Sequence, residues 1–306
     1  MRTYEKDIVT ISVVNYACRY GDKEANLKGI CGYVEALARR GSDIIVLPEV
    51  ALCGYDNQRD ITDPKQKNQQ LLAEQVPGPS SNAVAEITKK YGVYAVFGMT
   101  ERASDGKVYN AAVACGPEGV IGSYHKIHLP KEEVYWAERG EEPFLFDTPW
   151  GPVGVGICYD VYWFPELFRY YRARGARLCL NPTIVAKEEV PGEVCRLALE
   201  HTAITSSVYI ASAGMTGLGL HSHGLGGSSI IGPSMKLGDA YYYAGRPFHG
   251  KDSDQEEVFT ATVDLSLADH VSDWVLYYEN PETGAMDWRP ELYQKWSKEI
   301  VDRHEW

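Results

Sequence analysis

The sequence contains no dense stripe of basic residues. Its 306 residues include 42 Asp and Glu against 30 Lys and Arg, which gives a formal net charge of −12 at pH 7. Nucleic-acid phosphates and anionic lipid headgroups attract basic surfaces and repel acidic ones. We therefore expect neither nucleic acid nor a membrane surface among the partners of this protein.

Long apolar runs are missing as well. No uninterrupted apolar stretch reaches the roughly 20 residues that a membrane-spanning helix needs. The segment from Met1 to Asp7 also lacks the apolar core of a signal peptide. These two absences predict a cytoplasmic protein without a membrane span.

Paired cysteines are absent too. The seven cysteines are odd in number and widely spaced, and no Cys-x-x-Cys pair occurs. This pattern is typical of reduced intracellular proteins and argues against a disulfide framework or a cysteine-based zinc site. His221 and His223 form a His-x-His motif in a glycine-rich loop without a nearby carboxylate or cysteine, so we expect no metal there.

Segments with the periodicity of strands and helices alternate along most of the chain. A β-branched strand at Ile8 to Val14 precedes a helix at Lys23 to Arg40, and a fully apolar strand follows at Asp43 to Leu47. A continuous apolar run of this length is typical of a strand buried on both faces. Later segments repeat the pattern, with predicted strands at 93–99, 108–115, 121–124, 153–158, 177–181, 208–213, 228–231 and 258–263 and predicted helices at 80–91, 165–174 and 193–207. This order predicts an α/β fold with a mixed sheet.

The domain organisation follows from the same pattern. The sequence shows no linker, repeat or low-complexity tract, and it predicts one domain over residues 1–265. Residues 266–306 form a polar extension rich in large aromatic rings. Such an extension packs either on its own domain or on a partner subunit, and the sequence leaves both alternatives open.

Three of the predicted strands end at a residue that can take part in catalysis. Glu49 follows the strand at 43–47, Lys126 follows the strand that ends near His125, and Cys158 ends the strand at 153–158. A carboxylate can accept a thiol proton, a thiolate can attack a carbonyl carbon, and an ammonium can stabilise the oxyanion that forms. Because ligands bind where strand ends meet in α/β folds, we expect these side chains to converge.

Cys158 lies between a predicted strand and a helix that Pro165 opens. Backbone N–H groups near such a turn can stabilise a thiolate. The alternative is a small buried core thiol, which is the common role of a free cysteine.

Three motifs stand in order along the chain: Leu47-Pro48-Glu49, His125-Lys126-Ile127-His128-Leu129-Pro130 and Gly156-Ile157-Cys158-Tyr159-Asp160. They resemble the three signatures of the nitrilase superfamily, the carbon–nitrogen hydrolases. The resemblance covers roughly residues 8–265 and includes shorter segments at 181–183, 198–200 and 227–233. It implies a four-layer α-β-β-α sandwich.

The resemblance also implies a Glu-Lys-Cys triad. By position, Glu49 would be the general base, Lys126 the stabiliser of the oxyanion, and Cys158 the nucleophile. The backbone N–H of Tyr159 would complete the oxyanion hole. The implied reaction forms a Cys158 thioester from an amide and hydrolyses it to a carboxylic acid, and it needs neither a metal nor an organic cofactor.

Two further implications concern a second glutamate and the oligomer. Many members have a second glutamate before a glycine turn, and counting back from Gly140 favours Glu133, with Glu132 as the alternative. Relatives commonly associate through the helix after the nucleophile and the C-terminal extension. We therefore expect a homodimer or a larger homo-oligomer.

The turn after Cys158 bears on the substrate. Members that hydrolyse N-carbamoyl amino acids often place an arginine there, because a guanidinium pairs with a carboxylate. This chain has Val161-Tyr162-Trp163 instead, which disfavours that class. Nitrilases commonly have Trp-Glu directly after the cysteine, whereas this chain has Tyr159-Asp160, which favours an amidase.

Several residues near the motifs are candidates for a pocket around a small aliphatic or aromatic amide: Tyr55, Trp136, Trp163 and Thr183, with Tyr159, Tyr162 and Phe164 beside them. The alternative for each ring is ordinary core packing. Glu200 either supports Glu49 or Lys126 or faces solvent, and His125 and His128 are expected to be structural.

The resulting expectation is an amidase. A nitrilase and an N-carbamoyl amidohydrolase remain alternative enzymes of the same chemistry. A catalytically silent binding protein on this fold is the alternative outside enzymes, and the presence of all three triad residues argues against it.

Overall fold

The computed structural model describes residues 7–303 apart from 57, 59, 131, 187–191, 219–222, 235–238, 247, 249–251 and 276–278. Its strands are β1 (Ile8–Asn15), β2 (Ile44–Val46), β3 (Tyr94–Arg102), β4 (Val108–Gly116), β5 (Gly119–His125), β6 (Phe144–Thr148), β7 (Gly151–Val155), β8 (Leu178–Thr183), β9 (Tyr209–Gly214), β10 (Thr216–Leu218), β11 (His223–Leu225), β12 (Ser229–Pro233), β13 (Ala240–Gly245) and β14 (Glu257–Asp264). Its helices are α1 (Lys23–Arg39), α2 (Asn68–Leu71), α3 (Pro79–Tyr91), α4 (Tyr159–Trp163), α5 (Glu166–Ala173), α6 (Gly192–Ser206), α7 (Ser266–Val275) and α8 (Pro290–Arg303).

Two six-stranded mixed sheets form the centre of the molecule. The first has the order β14-β1-β2-β3-β4-β5 and the second the order β13-β12-β9-β8-β7-β6. In the first sheet β1, β2 and β3 are parallel, and in the second β7, β8 and β9 are parallel, while the other pairs are antiparallel. Strand β14 returns from the end of the domain to pair with β1 and forms one edge of the first sheet.

The sheets pack face to face and helices cover their outer faces. One core contains side chains from both sheets, and a second core lies between the first sheet and helices α1 and α3. Helices α5 and α6 contact the second sheet. The layers are therefore α-β-β-α, and the expected sandwich is confirmed.

The apolar run at β2 illustrates why the sequence forms this layer order. Ile44 and Val46 belong to the core between the sheets, whereas Ile45 belongs to the core under the helices. Successive side chains of a strand point to opposite faces. Both faces of β2 are covered, so the strand contains no polar residue.

The structure contains elements that the sequence pattern did not predict, among them β6, β13, α4 and the two C-terminal helices. Helix α4 has only five residues, of which four are aromatic or β-branched and therefore weak helix formers. Helix α7 packs on the domain, where the carbonyl of Ala268 accepts a hydrogen bond from Ser207 Oγ at 2.8 Å. The predicted domain boundary at residue 265 stays a prediction.

No helix among the described residues is both long and apolar enough to span a bilayer.

Candidate active site

Glu49 lies in a turn directly after β2 and is fully buried. Its Oε1 accepts hydrogen bonds from Lys126 Nζ and Asn110 Nδ2, both at 2.7 Å, and its Oε2 accepts one from the backbone N–H of Ile184 at 2.9 Å. The turn packs directly on Gly98 of β3, where a Cβ atom would lie 2.3 Å from the Val50 nitrogen. Glycine at 98 is therefore what lets the Glu49 turn approach the sheet.

Lys126 follows β5 and carries a buried ammonium between two carboxylates. Its Nζ donates to Glu49 Oε1 at 2.7 Å and to Glu133 Oε1 at 2.6 Å. Burial opposes the charge, but the two carboxylates outweigh it and raise the pKa of Lys126 well above its ordinary value. Lys126 is thus a permanent cation in this site and has no proton-accepting capacity.

Glu133 is the glutamate that the structure brings against Lys126. Its carboxylate also accepts hydrogen bonds from Tyr55 Oη at 3.0 Å and Asn110 Nδ2 at 2.9 Å. Burial and the neighbouring Glu49 raise the pKa of Glu133 to about 7, against the lowering effect of Lys126. Glu132 lies beside it on the wall of the cavity that opens above Cys158.

Cys158 lies between β7 and α4 with a backbone φ of +48°. Its N–H donates to Asn181 Oδ1 at 2.9 Å and to the Pro182 carbonyl at 3.2 Å, so the turn is fixed to the end of β8. A φ in this region is costly for a residue other than glycine and persists at sites where the surrounding structure holds it. The turn aims the thiol into the cavity.

The surroundings of Cys158 favour the protonated form of its thiol. Burial and the carboxylate of Glu49 raise the pKa of Cys158 well above its ordinary value, while Lys126 acts in the opposite direction. The Sγ atom donates to the carbonyl of Ile184 at 3.2 Å, the same residue whose N–H binds Glu49. Stabilisation of a thiolate by the backbone N–H groups near this turn stays a prediction, and the raised pKa means that the thiol needs a base to react.

A cavity of about 100 Å³ opens at Cys158. Aromatic and aliphatic side chains form most of its wall, together with Glu132 and Glu133, and the described lining residues include no lysine, arginine or histidine. Tyr55, Tyr159 and Trp163 lie on this wall, and the side chain of Trp163 is about half exposed at the rim. An apolar wall with a few polar groups is typical of a small-molecule site.

Two of the pocket candidates lie elsewhere. Trp136 is buried behind Tyr55, with the ring centroids 6.5 Å apart, and is not on the cavity wall. Thr183 lies below the nucleophile, where its hydroxyl is 3.0 Å from Tyr162 Oη and acts to lower the pKa of Cys158. Both residues support wall residues from behind and do not form the wall.

The remaining sequence candidates have other partners. Glu200 binds Arg196 at 2.7 Å and Tyr242 at 3.0 Å, and neither of its two alternatives, support of Glu49 or Lys126 and exposure to solvent, describes these contacts. His125 Nε2 lies 2.9 Å from Glu101. His221 lies outside the described residues, and the part of the chain that is described holds no cluster of three His, Cys, Asp or Glu side chains able to bind a metal.

Sequence reasoning missed Asn110 and Ile184. Asn110 donates to the carboxylates of Glu49 and Glu133. The feature of the sequence that could have indicated this role is a lone amide side chain in the apolar run of β4. Ile184 acts through its backbone, which links the thiol to Glu49, and no side-chain pattern reveals such a contact.

Comparisons with known proteins agree with this geometry. The sequence profile of the family described as carbon-nitrogen hydrolase matches residues 10–272. An omega-amidase NIT2 from Danio rerio is 30% identical over 259 residues, which cover 81% of this chain and 86% of that protein. A nitrilase from Pyrococcus abyssi is 29% identical over 238 residues, covering 76% and 81%.

Solved structures share the fold. An amidase from Nesterenkonia sp. superposes with a TM-score of 0.71 at 20% identity, covering 94% of this chain and 96% of that one. Saccharomyces cerevisiae Nit3 superposes with a TM-score of 0.73 at 22% identity, covering 90% and 97%. The profile match over most of the chain and the shared fold confirm the resemblance seen in the three motifs. The chain belongs to the nitrilase superfamily of carbon–nitrogen hydrolases.

Proposed function

We propose that this protein is an amidase that converts a small, uncharged amide into a carboxylic acid and ammonia through a thioester on Cys158. The observation that carries the proposal is the chain of contacts from base to nucleophile. Glu49 binds both the Lys126 ammonium and the N–H of Ile184, and the carbonyl of Ile184 accepts the Cys158 thiol. A base, a cation and a thiol at one apolar cavity are the parts that acyl transfer requires.

The first half-reaction forms the thioester. Glu49 takes the thiol proton, and the sulfur of Cys158 attacks the amide carbon. The Lys126 ammonium stabilises the oxyanion together with the backbone N–H of Tyr159. Tyr159 is the first residue of α4, so its N–H has no acceptor within the helix. The carbon–nitrogen bond breaks as Glu49 passes the proton to the departing nitrogen, and ammonia leaves.

The second half-reaction hydrolyses the thioester. Glu49 accepts a proton from water while the water oxygen attacks the acyl carbon. The carbon–sulfur bond breaks, the proton returns to the Cys158 sulfur, and the carboxylic acid leaves. Glu49 is therefore the base in both half-reactions, and the first one needs it because the pKa of the Cys158 thiol is raised.

The cavity supports the choice of a small amide. Its volume of about 100 Å³ is small for a ligand site, which favours a substrate with a short acyl chain. Glu133 lines it, and three of the roughly four acceptor positions on this carboxylate are taken by Lys126, Tyr55 and Asn110. In the ionised form of Glu133 the remaining position on Oε2 suits the N–H of an amide, which a nitrile lacks.

A panel of substrates tests the proposal. We expect ammonia release from propionamide and butyramide at a kcat/KM at least about tenfold above the matching nitriles, because a site built for an N–H donor rejects an analogue without one. Glutaramate, which carries a carboxylate toward Glu132 and Glu133, should also be slower than butyramide. Faster turnover of the nitriles would replace the proposal with a nitrilase, and turnover of N-carbamoyl amino acids alone would replace it with that class.

The C-terminal helix supports an oligomer. Helix α8 has no buried residue, and Tyr293, Trp296 and Ile300 lie on one face at helical spacing with about 40–50% of each exposed. An isolated helix of 14 residues is marginal in water. We therefore assign this face to contact with a second copy of the chain.

A further inference from the structure

Asp160, two residues after Cys158, carries a fully buried carboxylate that the reaction described above does not use. We propose that Asp160 and His128 form a positioning pair that holds Lys126 and Cys158 in register across the two sheets. The role rests on the proposed amide hydrolysis, because register between these two groups matters only if both act on one substrate.

The contacts of Asp160 fill both carboxylate oxygens. Oδ1 accepts the backbone N–H of His128 and the ring Nδ1 of His128, both at 2.8 Å. Oδ2 accepts the hydroxyl of Tyr124 at 2.8 Å and the N–H of Ile157 at 3.2 Å. A buried carboxylate that accepts this many hydrogen bonds fixes each of its donors in place.

The donors come from the two segments that carry the reacting groups. Tyr124, near the end of β5 in the first sheet, lies two residues before Lys126, and His128, in the loop that follows β5, lies two residues after it. Ile157 directly precedes Cys158 and follows β7 in the second sheet. The Asp160 carboxylate therefore ties the Lys126 loop to the Cys158 turn at the point where the two sheets meet.

His128 is itself held on both sides. Its ring stacks on Phe164 with centroids 3.5 Å apart and planes 7° apart. Nδ1 faces a carboxylate and so carries the proton that makes the 2.8 Å hydrogen bond. The His128 ring packs on Phe164, just beyond α4, and bonds to Asp160 on α4. These two contacts fix the orientation of the ring.

Neither member of the pair lies on the cavity wall. The pair therefore acts through Lys126 and Cys158 and not on the substrate directly. A displacement of about 1 Å at a reacting group costs roughly 100-fold in rate. Loss of the pair should accordingly lower kcat while substrate binding, which depends on the wall, is retained.

Three variants test the pair with butyramide as substrate. We expect Asp160→Asn to lower kcat about 100-fold and His128→Ala about tenfold or more, each with KM within about threefold of the parent. His128→Asn should recover most of the loss seen in His128→Ala, because its amide N–H replaces the Nδ1 donor. Asp269→Asn is the control, since it weakens the ion pairs of α7 with Arg172 and Arg177 and leaves the cavity intact.

Rates are expressed per active site, counted by stoichiometric alkylation of Cys158, so that unfolded molecules do not lower kcat. His128→Ala serves where Asp160→Asn fails to fold, because the His128 side chain is 30% exposed and its replacement costs little burial. An unchanged kcat per site in His128→Ala, or equal losses in His128→Asn and His128→Ala, would overturn the proposal.

Failure of the proposed function gives a different result. If the parent protein hydrolyses no amide, the amidase assignment fails, and the pair is tested by the rate at which iodoacetamide alkylates Cys158. A rate altered in His128→Ala, restored in His128→Asn and unchanged in Asp269→Asn supports the positioning pair. A rate equal in all four proteins refutes it.

Discussion

At the residue scale two fully buried carboxylates, those of Glu49 and Glu133, bind one ammonium. Lys126 compensates one negative charge, and Glu49 binds it together with the N–H of Ile184. Burying a second uncompensated carboxylate is unfavourable, and this explains why the pKa of Glu133 rises to about 7. Near neutral pH Glu133 therefore exchanges a proton with solvent.

This raised pKa makes a prediction about stability. Between pH 4.5 and about 7 the folded protein binds the Glu133 proton more tightly than the unfolded chain does, so the free energy of unfolding should fall as pH rises through this window. Glu133→Gln removes the titrating group. We expect the unfolding free energy of the parent, measured with urea, to decline relative to Glu133→Gln by on the order of 3 kcal/mol from pH 5 to pH 8.

Glu133→Gln is the control, because glutamine keeps the size of the side chain and an acceptor oxygen at every pH. The quantity compared is the slope of the unfolding free energy against pH in the two proteins. Parallel stability curves for the two proteins across pH 5 to 8 would show that Glu133 has an ordinary pKa. A parent that gains stability with pH relative to Glu133→Gln would mean that Lys126 lowers the pKa of Glu133.

At the element scale the site depends on turns that follow strands. Glu49 follows β2, Lys126 follows β5 and Cys158 follows β7. The Glu49 turn packs closely on β3, which passes beneath it at Gly98 with no room for a side chain.

Gly98→Ala tests this contact. The new Cβ would lie 2.3–2.6 Å from backbone atoms of Pro48, Glu49 and Val50, so the turn must shift. We expect the variant to lose about 1–3 kcal/mol of stability and about 100-fold in kcat for a displacement near 1 Å. Both are measured on the same preparation, by urea unfolding and by ammonia release.

Gly32→Ala is the matched control. A Cβ there meets no atom within 4 Å, and Gly32 lies inside α1. Alanine should stabilise the helix by about 0.5–1 kcal/mol and leave kcat unchanged. If Gly98→Ala behaves like Gly32→Ala, the Glu49 turn does not depend on the close approach to β3.

The sequence predicts the elements that carry the site because their patterns are local. The apolar run before Glu49, the β-branched run before Cys158 and the helical spacing of α1 all appear as strands or helices near their expected bounds. Helix α4 was not predicted because its residues have a weak helix propensity, and tertiary contacts form it all the same. Strand β13 was not predicted either, because it lies at the exposed edge of its sheet, where its sequence pattern is a weak guide. The link through Ile184 joins backbone groups, which carry no sequence signal.

At the scale of the whole molecule the chain forms one sandwich with an extra helix. Helix α8 keeps an aromatic face exposed, in contrast to α7, whose Asp269 binds Arg172 and Arg177 of the domain. The sequence left open whether the extension packs on its own domain or on a partner. For α7 the structure favours the domain, and for α8 we propose the partner.

Sedimentation tests the proposed oligomer. At micromolar concentration we expect a mass of at least about twice the 34.1 kDa of one chain. Removal of residues 290–306 should shift the mass toward a single chain, because the face that includes Trp296 is lost. Lys298→Ala on the same helix is the control, since it removes an exposed ion pair with Asp302 and keeps the apolar face.

A single-chain mass for the intact protein would contradict the oligomer. An unchanged mass after truncation would mean that another surface holds the copies together.

The most direct test of the account is whether amide hydrolysis depends on Cys158. Ammonia release from butyramide is measured for the parent and for Cys158→Ala, and the mass of Glu49→Gln is measured after incubation with butyramide. We predict a loss of about 10³-fold or more in Cys158→Ala without loss of fold, and no butyryl adduct on Cys158 in Glu49→Gln, because the thiol then lacks the base that takes its proton. Turnover retained in Cys158→Ala would contradict the account, since the carbon–nitrogen bond would then break without the thiol.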